Sequence, residues 1–115
     1  MSPADLVPIP YTGVLALSAV LFAVGTLGVL LRRNGIAIFL SLEIMLNSAN
    51  VAFAAFALKL AAEPGNETAA LAGQVFVFFV IGVAAAEAAV GLALFIAIYR
   101  LKETIDVDRL NILRW

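Results

Sequence analysis

Apolar residues run along this chain in three long blocks, and polar residues mark the gaps between them. The first block extends from about Tyr11 to Leu31 and stops at Arg32 and Arg33. The second runs from about Gly35 to Leu58 and contains Glu43, Asn47 and Asn50. Lys59 and the stretch Glu63-Pro64-Gly65-Asn66-Glu67 read as a short turn. The third block, from about Thr68 to Tyr99, is the longest, and Arg100, Lys102 and Glu103 close it. A polar tail, Thr104 to Trp115, remains. Each block reaches the ~20 residues that a helix needs to cross the hydrocarbon of a bilayer. The third exceeds it and is expected to tilt or to begin outside the lipid. A strand without closed neighbours would leave its backbone groups unpaired in lipid, so each block is predicted to be a helix. The pattern therefore predicts an all-α integral membrane protein of three transmembrane helices. It forms one membrane domain over residues 1–115, with no internal repeat and no room for a separate soluble domain.

Composition strengthens this reading. Of the 115 residues, 64% are hydrophobic and only 13% are charged. A soluble domain this small buries only ~60% of its unfolded surface, so the excess apolar surface is expected to face lipid or other subunits. The chain has no Cys and no His. Disulfides, thiolate or imidazole metal sites and Cys/His nucleophiles are thereby excluded within it. No basic run suits nucleic acid. The N-terminal flank lacks Lys and Arg, unlike the positive region of a cleaved signal peptide. Arg32 and Arg33 follow the first span, and Arg100, Lys102, Arg109 and Arg114 follow the third. The second gap has only Lys59 beside two acids. Because cytoplasmic flanks carry the Lys/Arg excess, the N-terminus is expected outside and the C-terminus in the cytoplasm.

Two residues stand out chemically. Glu43 lies about nine residues into the second span, ~13 Å from its end at the helical rise. Glu87 lies about thirteen residues from Arg100, or ~19 Å. The hydrocarbon core is ~30 Å thick, so both carboxyls fall near its middle. An acid at that depth costs roughly 2.5–3.5 kcal/mol on insertion scales and ordinarily marks an ion or proton path. Apolar surroundings favour the neutral carboxyl, so a change of surroundings can load or release a proton. The plainer alternative is a protonated carboxyl that only hydrogen-bonds a neighbouring helix. At 100° per residue, Asn47 lies ~40° from Glu43, and Asn50 lies ~20° to the other side. The three are expected to form one polar stripe, with Ser41 and Ser48 on nearly the opposite face. The stripe can hold water or bind a neighbouring helix.

Other features carry less. Alanines and glycines from Gly82 to Gly91 flank Glu87 and allow close helix approach. Arg32-Arg33-Asn34-Gly35 is first a topology signal, and second a pair of positive charges at the mouth of a carboxylate path. Asn66-Glu67-Thr68 matches a glycosylation acceptor by chance, because that turn hugs the membrane. Phe76, Phe78 and Phe79 are expected to touch lipid or partners. Tyr99 and Trp115 suit the interfacial belt. Ile105, Leu110, Ile112 and Leu113 are expected either to dock on a partner or to lie on the membrane surface.

Three blocks in order carry a family resemblance: Arg32-Arg33-Asn34, then Leu42-Glu43-Ile44-Met45-Leu46-Asn47, then Ala84-Ala85-Ala86-Glu87-Ala88-Ala89-Val90-Gly91-Leu92-Ala93-Leu94. Together they resemble the K subunits of the proton-pumping NADH:quinone oxidoreductase, respiratory complex I, over about Leu15 to Arg100. The resemblance implies a multi-pass subunit of the bacterial inner membrane. It would sit in the membrane arm among the J-type, A-type, H-type and antiporter-like N-type subunits. Glu43 and Glu87 match the two family carboxylates on the hydrophilic axis that links quinone reduction to proton translocation. NADH, flavin, iron–sulfur centres and quinone then belong to partner subunits, and this chain is expected to bind no cofactor and no metal.

The C-type subunit of multisubunit cation/proton antiporters shares the layout, but the paired glutamates argue against it. A rotor-ring proteolipid is usually a two-helix hairpin with one carboxylate. A purely structural membrane adaptor would tolerate Gln in place of either Glu.

Overall fold

The computed structural model describes residues 10–110. Three helices dominate: α1 over Tyr11–Leu31, α2 over Gly35–Ala61 and α3 over Glu67–Lys102, followed by a short 3-10 turn at Val107–Arg109. All three are long and apolar enough to cross a membrane. The sequence expectations for Trp115, Ile112, Leu113, Arg114 and the flank before Pro10 lie outside the described residues.

The helix ends follow from local chemistry. Pro10 leads into α1, where its missing N–H costs no helical bond. The Asn34 side chain caps α2 by accepting from Ile36 N at 2.9 Å and Ala37 N at 3.2 Å. Lys59, read from sequence as turn, is still helical, and α2 runs on to Ala61. Gly65 then turns the chain with a φ of 87°, which a side chain would resist. Glu67 opens α3 at the positive end of the helix dipole, and Arg100 and Lys102 lie in its last turn. At the helical rise α3 is ~54 Å long. That is well beyond the hydrocarbon thickness, as its sequence length suggested.

α2 is the central helix. On one side Ser18 Oγ donates to the Ser48 carbonyl at 2.6 Å. Gly25 and Gly28 of α1 lie against Ser41 and Met45. On the other side Phe39 meets Gly91 and Phe95 of α3, Phe53 packs edge-on to Phe76, and Ala57 lies against Gly73. Lys59 Nζ sits 5.4 Å from the Tyr11 ring and ties the far end of α2 to the start of α1. Little is enclosed. The buried apolar side chains among the described residues are Ala55, Ala57 and Ala70.

After Glu103, whose φ of 55° breaks α3, the tail folds back onto the α1–α2 turn. Gly35 N donates to the Ile105 carbonyl at 2.7 Å, and Val107 N donates to the Arg33 carbonyl at 3.0 Å. Arg33 pairs with Asp108 at 3.4 Å. Ile105 and Leu110 are half-buried, and Ile105 lies on Gly35.

Candidate functional site

The register of the α2–α3 pair decides how the two glutamates relate. The helices run antiparallel, with Phe39 beside Gly91 and Ala57 beside Gly73. Four residues on from Phe39 along α2 is Glu43, and four residues back from Gly91 along α3 is Glu87. The two carboxyls therefore stand at the same level of the pair, a little over one turn from the Phe39–Gly91 contact. Counting from the charged helix ends had placed them ~6 Å apart in depth. The difference arises because α3 continues past the start of α2, where Gly35 already faces Phe95.

Their surroundings differ. Glu43 is half-buried beside the seam with α3. Glu87 is exposed, about 60° off the line Ala84, Ala88, Gly91 and Phe95 that faces α2. It sits in a shallow groove of about 410 Å³ lined by Val83, Ala86, Val90 and Gly91. Among the described residues neither carboxylate is hydrogen-bonded or ion-paired. The small side chains on either side of Glu87 leave its carboxyl open to whatever packs on this face of α3.

The polar stripe of α2 divides on folding. Asn50 turns into the seam, where its Nδ2 reaches the Val77 carbonyl at 3.5 Å. Asn47 stays exposed and folds back, with Nδ2 donating to the Glu43 backbone carbonyl at 2.9 Å. Glu43 lies between them, at the edge of the α3-facing side. Ser41 and Ser48 take the opposite face as the helical spacing indicated, both buried against α1. Each satisfies its hydroxyl on its own helix, Ser41 on the Ala37 carbonyl and Ser48 on the Met45 carbonyl.

Arg32 and Arg33 are exposed at the α1–α2 turn. The tail brings Asp106 and Arg109 to the same end, beside the last turn of α3 with Arg100 and Lys102. Sequence reasoning did not foresee this clip. Its only sequence signal is the Asp-Val-Asp-Arg run, in which Asp106 caps the short turn by accepting from Asp108 N at 3.0 Å. Phe76 is half covered by Phe53, whereas Phe78 and Phe79 point outward with Tyr99.

Known proteins place this arrangement in a family. The family described as NADH-ubiquinone/plastoquinone oxidoreductase chain 4L matches residues 13–115. The chain is 55% identical over 101 residues to NADH-quinone oxidoreductase subunit K 2 of Geotalea uraniireducens, covering 88% of this chain and 93% of that one. It is 51% identical over 106 residues to NADH-quinone oxidoreductase subunit K of Roseiflexus castenholzii, covering 92% and 98%. The subunit K of a Sulfurihydrogenibium strain is 48% identical, also over 106 residues, covering 92% and 98%. The match takes in all three helices, both glutamates and the clipped tail, and the chain belongs to the NADH-ubiquinone/plastoquinone oxidoreductase chain 4L family.

Proposed function

We propose that this chain is the K-type membrane-arm subunit of NADH:quinone oxidoreductase, respiratory complex I, and that Glu43 and Glu87 carry protons in coupling quinone reduction to proton translocation. The observation that carries the reading is the placement of two carboxylates at one level, well inside two adjacent membrane-length helices. Intramembrane acids of this kind are expensive and ordinarily functional. A carboxyl in such a site is neutral while it holds a proton. A neighbouring subunit's polar group or water within reach then supplies the acceptor to which the proton passes. Glu43, half-buried beside the α2–α3 seam with Asn47 and Asn50 on its face of the helix, is the station closer to the chain's own packing. Glu87 depends on a neighbouring chain for its contacts.

The rest of the assignment follows from this role. The chain acts in a proton-translocating oxidoreductase without a redox site of its own. NADH, flavin, iron–sulfur clusters and quinone are held by other subunits. Its partners are the J, A, H and antiporter-like N types, together with the lipid bilayer. Residues 1–115 form one membrane domain of the bacterial inner membrane. The N-terminus lies outside and the C-terminus in the cytoplasm, with Arg32 and Arg33 at the cytoplasmic mouth of the carboxylate path.

The test is Glu43→Gln, which keeps shape and hydrogen bonding but removes the titrating proton. Proton pumping and the coupled quinone reductase turnover are expected to fall at least tenfold, about 1.4 kcal/mol in barrier height. Assembly and NADH oxidation by an artificial acceptor should persist. Glu43→Asp should retain part of the activity, and Glu87→Gln should cost less than Glu43→Gln. Normal pumping in a normally assembled Glu43→Gln complex would make Glu43 a packing residue and overturn the proposal.

A further inference from the structure

Where the tail meets the end of α3, two hollows share part of their walls. One, of about 490 Å³, is lined by Ile36, Phe95, Ile96, Tyr99, Arg100 and Ile105. The other, of about 440 Å³, also has Tyr99 and Ile105 in its lining, together with Glu103, Asp106 and Arg109. Phe95, Tyr99 and Glu103 follow one another at four-residue intervals, on one face of α3. Along that face the lining passes from apolar to charged. Gly35 lies against Phe95, so the apolar part is level with the turn where Arg32 caps α1. In a membrane that is the headgroup zone, where basic and aromatic side chains gather.

The charges choose among lipids. The two linings together carry two guanidinium groups, Arg100 and Arg109, and two carboxylates, Glu103 and Asp106. None of the four is ion-paired among the described residues, where the one ion pair joins Arg33 to Asp108. Arg32, Arg33 and Lys102 line neither hollow. Glu103 is placed at local cost. It stands at the negative end of the α3 dipole, which favours a cation, and its φ of 55° suits glycine or asparagine better. Asp106 engages only Oδ1, with Asp108 N. An anionic headgroup would satisfy the arginines but set its charge against both carboxylates. A choline headgroup brings a cation with no N–H to donate. A phosphate bearing a primary ammonium suits both signs, because its oxygens accept from guanidinium and its N–H groups donate to carboxylate.

We propose that this groove binds a phosphatidylethanolamine-type phospholipid. Its phosphate lies on Arg100, its ammonium on Glu103 and Asp106, and its upper acyl chain on Ile36, Phe95 and Ile96. The site stands whether or not Glu43 and Glu87 carry protons.

The experiment uses the whole membrane assembly in nanodiscs of phosphatidylethanolamine, phosphatidylcholine and phosphatidylglycerol in equal parts. Photoreactive benzoylphenylalanine replaces Ile96, which is exposed. Irradiation joins it to whatever occupies the groove, and mass spectrometry of this subunit identifies the adduct. Phosphatidylethanolamine is expected at least about threefold above its share of the bilayer. Glu103→Gln, at an exposed position, should at least halve that enrichment. Capture in bulk proportions overturns the proposal, as does enrichment of either other lipid. A crosslink to another subunit in place of lipid overturns it too, and so does a preference unchanged by Glu103→Gln. If the replacement at Ile96 disturbs assembly, a map of the wild-type assembly in the same nanodiscs carries the test. Headgroup density between Arg100 and Glu103 is then expected, and an empty or protein-filled groove overturns the proposal.

Discussion

At the scale of single residues, the closest approaches in this molecule are made by glycine, and they predict unequal responses to one substitution. A Cβ on Gly25 would lie 2.5 Å from Met45 Cγ and 2.8 Å from the Ser41 backbone oxygen. The methionine can swing away, but the backbone oxygen cannot, so α1 and α2 must separate. Overpacking of this kind costs about 1–3 kcal/mol. A Cβ on Gly82 meets nothing within 4 Å, and alanine there gains roughly 0.5–1 kcal/mol of helix propensity. Gly25→Ala should therefore lower the temperature at which the solubilised assembly releases this subunit, and Gly82→Ala should not. A loss at Gly82 equal to that at Gly25 would mean that α1–α2 proximity is not what the glycines secure. The same scale shows why the asparagines were only partly legible. Helical spacing put Glu43, Asn47 and Asn50 on one face, which is correct. It carries no information on where α3 meets that face, and that direction makes Asn50 buried and leaves Asn47 exposed.

At the scale of elements, the three spans were legible because composition changes abruptly at their ends. The Arg32-Arg33 pair, a Pro-Gly turn and the Asn34 cap each stop or start a helix by a mechanism visible in sequence. The tail clip was not legible, because it is held by backbone groups that any sequence possesses. Gly35 N, the Ile105 carbonyl, Val107 N and the Arg33 carbonyl form its two cross-links. This allows the contributions of backbone and charge to be separated. Val107 opens the 3-10 turn, and Asp106 before it has an extended conformation, φ −73° and ψ 117°, that proline accepts in a preceding residue. Val107→Pro thus removes the donor to Arg33 and sets the ring Cδ against the Arg33 carbonyl, so the tail must part from the turn there, at a cost above the roughly 0.5–1.5 kcal/mol of the hydrogen bond alone. Asp108→Asn breaks an ion pair whose side chains are 81% and 62% exposed. Such pairs contribute at most about 1 kcal/mol and often nothing measurable. Limited proteolysis from the C-terminal side should cut the Val107→Pro protein faster than wild type and leave Asp108→Asn near wild type. The reverse order would show that charge, not backbone pairing, holds the tail.

At the scale of the whole molecule, the charges gather at one end, where the tail meets the α1–α2 turn, and the opposite turn carries Lys59, Glu63 and Glu67. Because the native chain has no cysteine, single replacements report sidedness cleanly. Glu63→Cys should react with an impermeant thiol reagent from outside the cell and Asp108→Cys should not; the reverse pattern would invert the proposed orientation. The apolar surface leads to a stronger expectation. The most apolar stretches of α1, α2 and α3 are 11%, 17% and 0% buried within the chain. Leu17, Val20, Phe22, Leu71, Phe78 and Phe79 all face outward. In lipid this exposure is harmless in itself, because hydrocarbon and leucine are equally apolar, so it does not drive helices together. The exposed Glu87 is different. On a lone chain its carboxyl faces hydrocarbon, which adds an insertion cost of roughly 2.5–3.5 kcal/mol that a partner's polar groups would offset. The contacts between α1 and α2 are made largely by Ser18, Gly25, Gly28, Ser41 and Ser48, which pack closely but bury little area. Expressed without its partners, the chain should be degraded or aggregate on extraction, and Glu87→Gln or Glu87→Leu should improve its recovery in isolation. A monodisperse, protease-resistant wild-type chain, unimproved by either change, would mean that Glu87 costs the lone bundle nothing and that its exposure does not mark a partner-facing site.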